Sequence, residues 1–125
     1  MKNSVRILVI ALLGLTANLA SATESAAVKT MAGVLAKLNH FPNAEDKQAL
    51  AKVTEDKSAS EHERTVAKAL ANVQHKAAAA DKPALEAIVN DAKASNGVKT
   101  LAGVILNLNH TPSAADKEKL AALSK

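Results

Sequence analysis

The stretch Leu38-Asn39-His40-Phe41-Pro42-Asn43-Ala44-Glu45-Asp46-Lys47 returns as VQHKAAAADK at 73–82 and as LNHTPSAADK at 108–117. The step is 35 residues each time, carried by His40, His75 and His110 and by Asp46-Lys47, Asp81-Lys82 and Asp116-Lys117. Working outward, the same step relates Ser25, Ser60 and Ser95; Thr30, Thr65 and Thr100; Ala32, Ala67 and Ala102; and Leu50, Leu85 and Leu120. No gap is needed. Self-similarity at a fixed period marks a chain built from one supersecondary unit, here with copies at 25–59, 60–94 and 95–125.

Each copy is predicted to hold two helices. Val28, Met31, Ala32, Leu35 and Leu38 recur at i, i+3, i+4, i+7 and i+10 and share one arc of a helix. Val98, Leu101, Ala102, Ile105 and Leu108 repeat the arc in the third copy. In the second copy Glu63 replaces the first apolar residue, and Ser60 with Glu63 forms the S-x-x-E pattern of a capping box. Phe41-Pro42 and Thr111-Pro112 drive the residue before each proline out of the helical region, so the first helix ends near the His. Asn43 and Ser113 cap the second helices, with Asp46 and Asp116 in their first turns. In the second copy Pro83 forces a restart at Asp81, which then serves as the cap.

The fold class that follows is all-α: three αα-hairpin repeats, six short helices, stacked as a small solenoid or a compact bundle. Both arrangements need the same amphipathic hairpins. The period lies close to the 34 residues of tetratricopeptide repeats, but the Trp, Tyr and Leu-Gly positions of that pattern are absent, which leaves the repeat without a family.

Residues 1–22 have the organisation of a secretory signal peptide. Lys2 and Arg6 form a positive start, Ile7 to Leu15 is an uncharged apolar run, and Ala20-Ser21-Ala22 places small residues at a cleavage site. The run is too short for a permanent span, which needs about 20 apolar residues. A single helical domain over 23–125, periplasmic or secreted and without stable membrane insertion after cleavage, is therefore expected.

Composition narrows the chemistry. The 125 residues include 16 Lys plus Arg against 12 Asp plus Glu, no Cys, Trp or Tyr, and one Phe. Lys2 and Arg6 leave with the signal, so the mature balance is 14 cations to 12 acids. Disulfides, thiolate metal sites and a Cys nucleophile are excluded. With Arg64 the sole mature Arg and Phe41 the sole aromatic ring, the cationic and stacking surface of a nucleic-acid binder is missing. His and Asp recur together, but no Ser lies in a strained elbow to complete a triad, so no enzymatic activity and no cofactor are expected.

The repeated polar residues admit two readings. In an open stack, neighbouring helices lie about 8–10 Å apart, whereas donors to one zinc ion each approach to about 2.0–2.1 Å, so equivalent His residues do not meet. His40, His75 and His110 are then terminal residues that satisfy a last-turn carbonyl or reach the Asp six positions on. Metal ligation by the three is the alternative. His62 lies outside the series and is expected in solvent. Lys29, Arg64 and Lys99 would line up as a cationic ladder on the outer face of the first helices, with Leu106 an exposed apolar contact beside them. The leading expectation is a noncatalytic envelope scaffold that binds an unidentified protein or acidic ligand through that ladder. The competing one is a periplasmic metal-binding protein.

Overall fold

The computed structural model describes residues 24–125; the segment 1–22 and its cleavage site lie outside the described residues. Six α-helices follow one another: α1 Ala26–Ala36, α2 Ala44–Glu55, α3 Glu61–Ala71, α4 Lys82–Val89, α5 Asn96–Leu106 and α6 Ala114–Leu123. A short 3-10 turn, Ala79–Asp81, precedes α4. Among the described residues there is no strand, and no helix is long and apolar enough to cross a membrane.

The starts of the helices are set by local chemistry. Ser25, Ser60 and Ser95 sit in extended backbone, and each side-chain oxygen accepts the N–H three residues on, from Val28, Glu63 and Val98. At α3 the capping box is complete, because the Glu63 carboxylate accepts the Ser60 N–H in return. Asn43 and Ser113 cap α2 and α6 through the N–H groups of Asp46 and Asp116. The restart at Asp81 occurs, and Pro83 stands in the first turn of α4. Asp81, however, makes no cap bond; its carboxylate accepts from the Asn72 amide at 3.1 Å. The 3-10 turn supplies the entry to α4 instead.

The second helix of each hairpin packs chiefly on the first helix of the next: α2 on α3, α4 on α5, and α6 back on α1. The helices α1, α3 and α5 also pack pairwise on one another. Contact between the last helix and the first closes the array, so the open stack assumed in weighing the histidines does not occur. Closure also widens the buried face. Val34, Ala69 and Val104 lie outside the apolar arc read from the sequence, yet all are buried. Leu106, expected to be exposed, is partly buried against the core with its counterparts Ala36 and Ala71.

The core is layered by the 35-residue step. Met31, Leu35, Leu70, Leu101 and Ile105 are fully buried on the first helices, and Leu50, Leu85 and Leu120 on the second. Ala32, Ala67 and Ala102 have no exposed surface; a small side chain there lets the three first helices approach. Glu63 is the polar exception, buried where the other copies place Val28 and Val98, and its carboxylate accepts from the Ser25 hydroxyl as well as from Ser60. Gly97 sits close to the Glu24 carboxylate and to Val28, so a Cβ there would displace the Glu24 side chain and crowd Val28.

Closure gives a stability test. In an open stack a terminal hairpin is covered on one side and a truncation there costs less than in the middle. Here Leu120→Ala is expected to destabilise as much as Leu85→Ala, each by about 2–5 kcal/mol in denaturant unfolding. A loss at position 120 far below that at 85 would contradict closure.

Candidate metal site

The three repeated histidines stand beyond their helices. α1 ends at Ala36, α3 at Ala71 and α5 at Leu106. The chain then buries Leu38, Val73 and Leu108 before it reaches the histidine. There the backbone turns into the left-handed region, with φ of 76° at His40, 69° at His75 and 73° at His110. No other non-glycine residue among those described has positive φ. An L-residue in this conformation carries a cost of about 1–2 kcal/mol that glycine avoids, and here the cost recurs in every copy.

Hydrogen bonds between the copies hold this geometry. The His75 N–H donates to the His40 carbonyl at 2.5 Å, His110 to His75 at 2.6 Å, and His40 to His110 at 2.8 Å. The cycle uses one donor and one acceptor from each residue, so all three backbones are pinned to one another. The carbonyls these backbone N–H groups reach are those of the other histidines and not of the last helical turn. Nor does the His series pair with the Asp six positions on. Asp46 meets Lys37 at 3.0 Å, Asp116 meets Lys119 at 3.6 Å, and Asp81 meets Asn72.

Pinned backbones bring the rings together. Ring centroids are 4.9 Å apart for His40 and His75, 5.1 Å for His40 and His110, and 4.9 Å for His75 and His110, all edge-to-face. One ring nitrogen from each lies within 4.8 Å of the others. Tetrahedral ligation at about 2.0–2.1 Å places donors about 3.3–3.4 Å apart, so three-coordinate ligation needs each pair of nitrogens to close by up to about 1.4 Å. His40 is half-buried, and His75 and His110 are exposed, which leaves the cluster open to solvent. Asn109 orients one member: its carboxamide oxygen lies 3.0 Å from His110 Nδ1. With Nδ1–H donating there, the Nε2 lone pair is left for an ion.

Lys29, Arg64 and Lys99 lie on α1, α3 and α5, three helices that pack pairwise on one another. Arg64 is engaged within the chain, donating to the Ala59 carbonyl at 2.6 Å and the Asp56 carbonyl at 3.3 Å. His62, expected in solvent, is half-buried and lies 3.0 Å from the Asp91 carboxylate. The Lys93 backbone N–H holds the Asp91 carboxyl below its ordinary range against a smaller cost of burial, and His62 adds to the lowering.

Comparison with known protein families, curated proteins and solved structures finds no match to this chain.

The backbone strain at the cluster can be measured apart from any ion. With chelator present, His75→Gly is expected to leave unfolding stability unchanged or to raise it by up to about 1 kcal/mol, whereas His75→Val lowers it by about 1–3 kcal/mol. Both variants remove the imidazole, so equal effects would show that φ does not matter at this position.

Proposed function

We propose that the chain is an exported, noncatalytic metal-binding protein. Its three hairpins are copies of one unit closed about a common axis, and the histidines at one end bind a single late first-row transition-metal ion. The observation that carries this reading is the convergence of His40, His75 and His110 to within 4.8 Å. Residues 35 and 70 positions apart arrive at one point, each in a backbone conformation that a histidine adopts at a cost. Strain repeated at a cluster of ligating groups is the pattern expected where a site is held ready for a ligand. Three neutral imidazoles suit zinc, copper or nickel better than hard oxygen-seeking cations.

The arrangement also accounts for the repeat. One hairpin supplies a single donor, and only the closed assembly of three supplies a site. An ion that binds the closed form and not the unfolded chain stabilises it by mass action. A leader over 1–22 delivers the protein to a compartment where such ions are taken up or buffered, which fits a chain without thiol ligands.

Calorimetric titration of residues 23–125 with zinc, copper and nickel is the test. One ion per chain is expected, with affinity reduced at least about tenfold by His40→Asn, His75→Asn or His110→Asn, because each removes one of three bonds to the metal. Asn is the chosen replacement because it tolerates positive φ. Binding weakens on acidification, since protons compete with the metal for the same lone pairs. Absence of uptake, or uptake indifferent to all three replacements, would overturn the proposal. Export is checked separately by sequencing the N-terminus of the fractionated product, expected near Thr23.

A further inference from the structure

The ligand set has a consequence in charge. The cluster holds three imidazoles and, among the described residues, no carboxylate. Neutral donors leave a divalent ion with its full double charge, and three protein ligands leave a four-coordinate ion with an open position. The repeated acids have partners of their own: Asp46 with Lys37, Asp116 with Lys119, and Asp81 with Asn72. No carboxylate of the cluster neutralises that charge, so the open position is available to an anion from outside the chain.

A groove adjoins the cluster and has the right character. It is lined by Phe41, Lys47, Asn72, Gln74 and His75 and encloses about 460 Å³, ample for a molecule of a few heavy atoms. His75 belongs to both the groove and the imidazole cluster. Lys47 is the one Lys or Arg in the lining, which contains no acid. Phe41 is 55% exposed, so the only Phe of a chain without Tyr or Trp stands at the groove with more than half its surface uncovered. Gln74 adds an amide able to donate.

We propose that the metal bound by His40, His75 and His110 keeps one coordination position for a small exogenous carboxylate, which enters along the groove between Phe41 and His75 and pairs with Lys47. This rests on the metal reading above. The carboxylate supplies the negative charge that the imidazoles lack, and Lys47, the cation of the groove, attracts it. The protein would then take its ion as a ternary complex with a carboxylate carrier.

Cobalt(II) separates the two layers of this argument, since its visible spectrum reports both uptake and a change of the fourth ligand. Residues 23–125 are loaded with cobalt in a buffer free of coordinating anions and titrated with acetate. The expected result is intense four-coordinate bands on loading, followed by a saturable spectral change with acetate. For Lys47→Glu, with cobalt uptake measured in the same sample, half-saturation is expected at about fivefold higher acetate or more, as one attractive ion pair becomes a repulsion. Cobalt bands that do not respond to acetate would overturn the carboxylate position and leave the metal site standing. An acetate response unchanged in Lys47→Glu would overturn the groove as its route. Failure to take up cobalt at all would overturn the metal reading and this inference with it.

Discussion

Three backbone hydrogen bonds run in a cycle from His40 to His110, from His110 to His75 and from His75 back to His40. Such a cycle exists only if the third hairpin returns to the first. The same return is visible in the packing of α6 on α1, which covers the apolar side that an open stack would leave bare. The core, the left-handed turns and the meeting of the imidazoles are all consequences of that closure. A row of hairpins would keep the helices and lose the site.

The energetic division between the two ends of the bundle is uneven. In the middle, Leu50, Leu85 and Leu120 are sealed, and apolar burial of about 1.5–3 kcal/mol per such side chain dominates. At the histidine end the backbone is strained and two of three rings are exposed. The opposite end carries Glu63 in an otherwise apolar layer, its carboxylate satisfied by Ser25 and Ser60. Stability resides in the helix layers. The histidine end is sustained by them and contributes little of its own.

The helices were legible in the sequence because their signals are local. Ser25, Ser60 and Ser95 before apolar arcs, the Ser60–Glu63 box and the prolines after His40 and His110 act within one turn of chain. Closure was not legible, since Val28, Met31 and Leu35 would face a neighbour in either arrangement. The wider burial of Val34, Val104 and Leu106 depends on having first helices on both sides, which periodicity within one helix does not report. The left-handed turns were hidden for another reason. Glycine or asparagine at positions 40, 75 and 110 would have signalled positive φ, while histidine suggests side-chain chemistry and says little of the backbone. Asp81 misled because its type suits a cap, yet Asn72 across the turn competes for the same carboxylate. The 35-residue spacing singled out the three histidines without revealing that they meet.

The contact between α1 and α6 joins residues near opposite ends of the described chain, and it sets an order of events in folding. The loop that must close before this interface forms spans most of the domain, so its entropic cost arrives late while the neighbouring pairs α2–α3 and α4–α5 form at short range. During vectorial synthesis, α1 emerges early and its side facing α6 waits uncovered for that helix. The final helix thus acts as a clasp. Until its last turns emerge, the chain has its hairpins but neither a sealed interior nor a completed ring of imidazoles.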